Sequence, residues 1–253
     1  MKILVLLKQT IGTEEKIVID NGKVIEDDVE FIINPYDEYA IEEAVKLKET
    51  MGAEVTVITV GPPRVESSLR TALAMGADKG IVIDVEKELT DEYNTAKVIA
   101  AAIKKYEYDL ILGGNMAVDS GSGQVAIRVA EELGIPHLSS ITKLSIEDRK
   151  AIIERDVEGD IEVIEVNLPF LATAQQGLNE PRYPSLSGIL KAKKKSFEHF
   201  TITDLNMTGE DINTRTSVLN QYSSPEKPQG KILTGDISQQ VSDLVHLLRN
   251  ESK

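Results

Sequence analysis

Short apolar runs alternate with helix-period segments over the first 135 residues of the chain. Such alternation is typical of parallel strands joined by crossover helices. Continuous apolar runs predict strands buried on both faces, at residues 3–7, 55–60, 80–83 and 110–112. Caps, apolar spacing and closing glycines predict helices at residues 35–51, 65–75, 90–106 and 123–133. The pattern therefore predicts an open, mostly parallel, twisted α/β sheet flanked by helices.

The pattern changes after about residue 138. Three runs with β character, separated by polar turns, predict antiparallel additions to the sheet, at residues 139–145, 150–156 and 161–168. We therefore assign residues 1–200 to one α/β domain.

The remaining residues, 201–253, are predicted to form a C-terminal arm. The stretch 204–235 is rich in Asn, Thr, Ser, Gly and Pro and lacks an apolar period, so we expect a linker. A final amphipathic helix is predicted from the apolar positions that share one face, which are Ile237, Val241, Leu244, Val245 and Leu248. Such a face packs either on the α/β domain or on a partner chain, and its pattern does not distinguish the two.

Composition and charge narrow the functional class. The 253 residues include 28 Lys and Arg against 42 Asp and Glu, a net charge of −14. That balance argues against a nucleic-acid-binding protein, because neutralising phosphates requires a clustered basic surface. The absence of Cys excludes disulfides, zinc–thiolate sites and cysteine nucleophiles. No apolar run approaches the roughly 18 residues of a membrane span, so we expect a cytoplasmic protein that is not inserted in the membrane.

Candidate chemistry lies at the strand ends, because open parallel sheets bind ligands beyond the carboxyl ends of their strands. Three loops leave such ends, after Lys8, after Val60 and at residues 113–124. The last holds four Gly, two Ser and one Asn and leads into a predicted helix. Small residues allow backbone N–H groups to close on an anion at a helix N-terminus. We interpret this loop as a phosphate site; a flexible surface turn is the alternative.

Enzyme motifs are not supported. Residues 121–126 match G-x-G-x-x-A, but they begin nine residues after the predicted strand rather than in a tight first turn. No P-loop motif and no G-x-S-x-G motif occurs. The three His are far apart and lack metal-ligand spacing. The sequence therefore predicts a nucleotide-binding chain with no catalytic residues and no metal site.

Four blocks of the sequence resemble those of electron transfer flavoprotein β subunits. Residues 34–44 read NPYDEYAIEEA and resemble the family pattern N-P-x-[DC]-E-x-A-[IV]-E-E-A. The other three blocks are an Arg-Thr-Ala-Leu block, an acidic hairpin ending in Pro, and a Leu-Asn-Glu-Pro-Arg block followed by lysines, at residues 70–78, 155–169, and 178–186 with 191–195. The resemblance covers about residues 1–200.

The resemblance implies an adenine-nucleotide-binding, Rossmann-like sheet in a heterodimer with an α subunit. In that complex FAD is held mainly by α, and this chain binds a structural AMP. The residues implied to bind the nucleotide are Leu6, Asn34, Pro35, Tyr36, Asp37, Val60, Gly114, Asn115, Met116, Ala117, Val118, Asp119, Ser120, Gly121, Ser122, Gly123, Gln124 and Val125. Backbone groups near Leu6 and Val60 would face the adenine, and residues 119–125 the phosphate.

The loop sequence bears on which nucleotide is bound. Electron-bifurcating relatives, which hold a second FAD in this site, tend to show V-D-G-D-T-A-Q-V-G-P. The present residues 118–127, VDSGSGQVAI, lack the second Asp and the final Gly-Pro, so we expect AMP. An FAD in the β site is the alternative. Thr13 stands where well-studied relatives have an aromatic residue near the flavin, which argues against stacking from that position.

The resemblance also implies partners. Leu186 occupies the position of a docking leucine that enters a pocket of dehydrogenases, with Arg182, Lys191 and Lys194 as a charged rim. Taken alone, an isolated apolar residue in a polar loop is more often a core anchor. Asp156 matches an acidic residue that pairs with an α-subunit Arg, and we expect the C-terminal arm to contact that subunit.

The implied activity is electron carriage. Electrons would pass from acyl-CoA or related dehydrogenases to FAD and then to an electron transfer flavoprotein–quinone oxidoreductase. A stand-alone adenine-nucleotide sensor is the competing hypothesis.

Overall fold

A computed structural model describes residues 1–85, 91–225 and 229–251, with residue 251 described in its backbone alone. The strands are β1 (Lys2–Leu7), β2 (Gln9–Ile11), β3 (Val18–Asp20), β4 (Lys23–Ile25), β5 (Phe31–Ile33), β6 (Glu54–Gly61), β7 (Lys79–Asp84), β8 (Leu110–Gly114), β9 (His137–Glu147), β10 (Lys150–Val157), β11 (Asp160–Asn167), β12 (Phe170–Ala174) and β13 (Glu198–Thr201). The helices are α1 (Pro35–Met51), α2 (Glu66–Met75), α3 (Glu92–Ile103), α4 (Val125–Leu133), α5 (Leu186–Ala192) and α6 (Ile237–Glu251). The predicted helix at 90–106 is α3; its residue 90 lies outside the described residues.

One large sheet organises the fold, and it confirms the predicted class. Its nine strands lie in the order β11-β10-β9-β12-β8-β1-β6-β7-β13. Strand β10 is antiparallel to both of its neighbours, and every other neighbouring pair is parallel. The parallel part needs helices on both faces, because its strands are apolar on both sides. Two smaller antiparallel pairs, β2–β5 and β3–β4, lie outside this sheet.

Apolar layers cover the two faces of the sheet. Helices α1 and α2 pack on one face, where Ile41 and Leu69 join the core of Val5. Helices α3 and α4 pack on the other face of the sheet. There, Val98 and Val129 lie in one apolar core with the residues on either side of Val5 in β1. The chain runs from β1 outward through β6 and β7 and then returns to β8 on the other side of β1. That reversal leaves a crevice at the carboxyl ends of β1 and β8, the usual ligand position in such sheets.

Strand β12 is a central strand that the sequence analysis did not predict. Its residues pair in parallel with both β8 and β9, so the chain returns to the sheet after the β10–β11 hairpin. All five residues of β12, from Phe170 to Ala174, are buried. The antiparallel additions are therefore β10 and β11, whereas β9 joins the parallel part through β12.

The chain separates into two compact units. The larger comprises residues 1–18 and 25–219, so the predicted domain boundary at residue 200 falls inside it. Leu205 is buried in the core on the α3 and α4 face, where Met207 and Ile212 also pack. The first part of the predicted linker is therefore packed, contrary to the expectation from its composition. Residues 226–228 of that linker lie outside the described residues.

The smaller unit comprises residues 19–24 and the described residues from 220 onward. Within it, the carbonyl of Gly22 accepts a hydrogen bond from the backbone N–H of Gln221, at 3.3 Å. Helix α6 confirms the predicted final helix, and the apolar side chains of its shared face are exposed.

Candidate functional site

The carboxyl ends of four parallel strands gather the predicted nucleotide residues. Strand β1 ends before Lys8, β6 ends at Gly61, β8 ends at Gly114 and β12 ends at Ala174. Leu6 and Val60 lie near the ends of β1 and β6 and belong to the core on the α3 and α4 face. The loop after β8 begins beside the start of α1, because the N–H of Gly114 bonds the side chain of Asp37.

Asp37 links the end of β8 to the start of α1. Its carboxylate accepts hydrogen bonds from the backbone N–H of Lys8 at 2.7 Å and of Gly114 at 3.0 Å. It also accepts one from the side-chain amide of Asn34 at 3.0 Å. Burial raises the pKa of Asp37 to about 7, while these hydrogen bonds and the Lys8 charge oppose the shift. Asp37 therefore fixes the crevice from inside rather than facing a ligand with its carboxylate.

Asn34 also links the loop after β8 to the start of α1. Its side chain donates to the carbonyl of Met116 at 2.9 Å and accepts from the N–H of Val118 at 3.1 Å. Asn34 occupies the N-cap position of α1, but its side chain makes no capping hydrogen bond. The side chain instead sets the path of residues 116–118.

Glycines shape both the loop from residue 115 to 124 and the end of β8 that precedes it. A Cβ on Gly114 would collide with the Asp37 carboxylate and lie 2.7 Å from the Cβ of Tyr36. Gly121 and Gly123 have φ angles of 66° and 62°, which L side chains rarely adopt. The positive φ angles explain why the loop needs glycine at these two positions, where no Cβ covers the backbone.

Helix α4 begins where this loop ends, at Val125. Its first-turn N–H groups have no intrahelical partner, as in every helix. Gln124 occupies the N-cap position without a side-chain cap and bonds Arg128 instead, at 2.8 Å and 3.1 Å. An uncapped helix start beside a glycine-rich loop suits an anionic group. Ser120 and Ser122 lie in this loop, with Ser122 half-buried.

Lys8 supplies a cation that the sequence analysis did not assign to the site. Its ammonium lies 2.7 Å from the carboxylate of Asp119, and the two side chains are 49% and 36% exposed. The ion pair links the end of β1 to the loop after β8. The sequence signal was available, because Lys8 directly follows a buried strand whose carboxyl end was already selected.

Asn115 is held by residues of β9 and β12 that were not predicted to belong to the site. Its side-chain oxygen accepts hydrogen bonds from the hydroxyl of Ser140 at 2.9 Å and of Thr173 at 3.3 Å. Its backbone N–H donates to the carbonyl of Ala174 at 3.0 Å. Strand β12 therefore supports the start of the loop.

Two further predicted nucleotide residues have clear positions. Ala117 accepts hydrogen bonds from the N–H groups of Ser120 and Gly121 and so forms a turn in the loop. Pro35 instead lines a groove of about 250 Å³ with Tyr39 and Arg182, on the side of α1 that faces α2.

The predicted docking leucine lies in a helix, which corrects its assignment to a polar loop. Leu186 is the first residue of α5, and the hydroxyl of Ser185 caps that helix by accepting from the N–H of Gly188 at 3.0 Å. Leu186 is 75% exposed, so it is not a core anchor. Lys191 and Lys194 are also exposed.

Three further predicted residues have clear positions. The guanidinium of Arg182 contacts the carboxylates of Glu42 and Glu49 within this chain. Asp156 lies at the end of β10, where it accepts from the N–H of Gly159 at 3.1 Å and closes the hairpin turn. Thr13 is exposed in the turn after β2.

The described part of the chain offers neither a metal cluster nor a membrane span. Its His, Asp and Glu side chains form no cluster of three or more that could hold a metal ion. Across residues 1–85, 91–225 and 229–251, no helix combines the length and the apolarity needed to cross a membrane.

Comparisons with known proteins agree with the sequence blocks. The profile of the electron transfer flavoprotein domain matches residues 21–205. The electron transfer flavoprotein subunit beta of Bacillus subtilis (strain 168) is 52% identical over 255 residues, covering 100% of this chain and 99% of the relative. The human electron transfer flavoprotein subunit beta is 36% identical, over 91% of each chain. A subunit of the caffeyl-CoA reductase–Etf complex of Acetobacterium woodii, CarD, is 38% identical over 96% of this chain and 95% of the relative.

Proposed function

Because the chain belongs to the electron transfer flavoprotein family as a β subunit, we propose that it is the AMP-binding, dehydrogenase-docking subunit of a conventional electron carrier. The observation that supports AMP binding is the loop 115–124. Asn34 and Asp37 fix its path, its glycines leave backbone groups accessible, and Lys8 and the uncapped start of α4 provide positive charge. Such a site fits the phosphate of one adenine nucleotide.

Subunits of this family carry electrons and are not catalytic enzymes. FAD, when bound in the heterodimer with an α subunit, supplies the redox chemistry. The proposed contribution of this chain is to bind AMP, with backbone near Leu6 and Val60 toward the adenine and residues 119–125 toward the phosphate. It would also brace the α subunit through Asp156 and helix α6.

The loop sequence favours AMP over a second FAD. Residues 118–127 lack the second Asp and the Gly-Pro pair that bifurcating relatives tend to have. The resemblance to a subunit of the caffeyl-CoA reductase–Etf complex supports the alternative, in which the β site holds FAD and the complex bifurcates electrons. A stand-alone adenine-nucleotide sensor is the other alternative.

The proposed electron donors are dehydrogenases of acyl-CoA or related type, and the proposed acceptor is a membrane quinone oxidoreductase. Exposed Leu186 at the start of α5 supports this, because an apolar anchor beside Lys191 and Lys194 fits a pocket with an acidic rim. We propose that the complex works in the cytoplasm, as part of fatty-acid β-oxidation.

Nucleotide content tests the proposal. The chain would be co-expressed with candidate α subunits, and the purified complex denatured so that the released nucleotides can be quantified. We expect one FAD and one AMP per heterodimer. Two FAD without AMP would establish the bifurcating alternative. A chain that folds without α and exchanges nucleotide readily would instead be a sensor.

A further inference from the structure

Arg182 forms a dense set of contacts with α1. Its Nε and Nη2 donate to the two carboxylate oxygens of Glu42, at 2.8 Å and 2.9 Å. Its Nη1 and Nη2 donate to Glu49 at 2.5 Å and 2.9 Å, and its backbone N–H also donates to Glu42 at 3.2 Å. One guanidinium therefore spans two carboxylates that lie about two turns apart on α1. Few of its N–H groups remain for a second protein.

Burial makes this contact stronger than an ordinary surface pair. The side chain of Glu42 is only 6% exposed, and that of Arg182 is 35% exposed. Charge-assisted, bidentate hydrogen bonds are stronger than neutral ones, and water screens a buried pair less. Removing one partner would also leave the Glu42 charge buried and unpaired.

The segment that Arg182 holds has little packing of its own. Tyr183 is 95% exposed and Leu186 is 75% exposed. The groove of about 250 Å³ lies between residues 181–184 and helices α1 and α2, so apolar packing beneath the segment is incomplete. Ion pairs therefore carry much of the positioning at this end.

Helix α5 itself is fixed by contacts with α2 and the chain after it. A Cβ on Gly188 would collide with the carbonyl of Ala74 at the end of α2, so the two helices are in close backbone contact. Ala192 is buried, and Lys195 donates to the carbonyl of Ala77 at 2.7 Å. Helix α5 thus rests on α2 from its third residue onward, and the position of Leu186 at its start also depends on the chain preceding it.

We propose that Arg182 is a positioning residue, which clamps residues 181–186 onto Glu42 and Glu49 and so presents Leu186 in a preformed orientation. It does not act as a contact of the charged rim. The inference rests on the proposed docking function of Leu186. Preformed surfaces bind more tightly because ordering the segment costs nothing at the moment of docking.

The test uses the heterodimer with its α subunit and an acyl-CoA dehydrogenase of the same organism, reduced with its acyl-CoA substrate. Five variants are compared: Arg182→Gln, Arg182→Lys, Glu42→Gln/Glu49→Gln, the combination of Arg182→Gln with Glu42→Gln/Glu49→Gln, and Leu186→Ala. Each is measured for kcat and KM of electron transfer, for FAD content, and for hydrogen exchange of residues 180–192. The Glu42→Gln/Glu49→Gln variant (the carboxylate variant) keeps Arg182 but removes the two carboxylates that hold its guanidinium.

We expect Arg182→Gln and the carboxylate variant each to raise KM by about fivefold, with kcat and FAD content unchanged, and to speed exchange in 180–192. Combining them should add little, because both remove one clamp. Arg182→Lys should fall between, since an ammonium cannot bond both carboxylates in a fork. Leu186→Ala should raise KM without changing exchange.

Two results separate the possible failures. If freeing Arg182 leaves KM unchanged or lowers it while Arg182→Gln raises it, Arg182 contacts the dehydrogenase directly and the positioning role is wrong. If Leu186→Ala leaves KM unchanged, the docking function itself is wrong, and the positioning role fails with it.

Discussion

Asp37 and Gly114 are joined by a hydrogen bond that spans 77 positions of the chain. The N–H of Gly114 donates to Oδ1 of Asp37 at 3.0 Å, so the last residue of β8 lies against the first turn of α1. The approach is so close that any side chain at Gly114 would collide with that carboxylate. This contact therefore fixes the position at which the candidate nucleotide loop begins.

Gly114→Ala should disrupt the site, whereas Gly113→Ala should not. Overpacking of this kind costs about 1–3 kcal/mol, and relief here requires the loop to move away from Asp37. A Cβ on Gly113 would meet its nearest neighbour, the Cβ of Leu6, at 3.4 Å, an ordinary contact. Nucleotide content and thermal stability of the two heterodimers provide the measurement. Equal AMP content in both variants would contradict the role given to this contact.

Asp37 should titrate near neutral pH. Burial raises its pKa to about 7 in the folded state, from an ordinary value of 3.8. Between these values the folded state binds the proton that the unfolded state has lost. The stability contributed by this group is therefore complete below pH 3.8 and is lost as pH rises through about 7.

Infrared difference spectra can follow this proton. The C=O stretch of a protonated carboxylic acid should disappear with a midpoint near pH 7, and Asp37→Asn should lack that signal. A spectrum without a carboxylic acid band that titrates in this range would show that the three hydrogen bonds outweigh burial.

The parallel core was predictable because the signals for its elements are local. A continuous apolar run such as residues 3–7 identifies a buried strand, and a closing Gly52 marks the end of α1. Strand β12 was not predictable in the same way. Its residues follow the hairpin closely, and its insertion between β9 and β8 depends on contacts with residues about 30 to 60 positions earlier. Periodicity reports burial but not the identity of a neighbouring strand.

The candidate site was likewise predictable only where its sequence signals are local. Composition and position after a strand identified residues 113–124, and that loop does lie at the crevice. The residues that hold the loop in place could not be predicted, because the pairing of Lys8 with Asp119 and of Ser140 with Asn115 depends on which strands are adjacent. Leu186 was placed in a loop because a helix of seven residues gives too little periodicity to recognise.

Lys8 should contribute to nucleotide affinity, and Lys2 provides its matched control. Lys8 directly follows β1 and Lys2 is its first residue; their side chains are 49% and 51% exposed, and each ammonium lies 2.7 Å from one carboxylate. Only Lys8 lies at the carboxyl end of the strand, beside the candidate phosphate loop. A charge-assisted hydrogen bond to phosphate is worth about 1.5–3 kcal/mol. Lys8→Met should therefore raise the Kd for AMP by about tenfold or more, and Lys2→Met should leave it unchanged.

Equilibrium dialysis of the nucleotide-stripped heterodimer against AMP, at low and high salt, measures this difference. The effect of Lys8→Met should shrink at high salt, because water and ions reach this half-exposed cation. A larger effect from Lys2→Met would indicate that overall charge, rather than position at the crevice, sets the affinity.

Leu186 should act as an anchor for the dehydrogenase, and Leu219 allows the same substitution at another exposed leucine. Leu186 is 75% exposed at the start of α5, and Leu219 is 96% exposed at the end of the larger unit. Burying a leucine in a partner's pocket contributes about 1.5–3 kcal/mol. Leu186→Ala should therefore raise KM for the reduced dehydrogenase by about tenfold or more, with FAD content and subunit association unchanged. Leu219→Ala should leave KM unaltered, and a loss of FAD in Leu186→Ala would mean that this leucine supports the heterodimer instead.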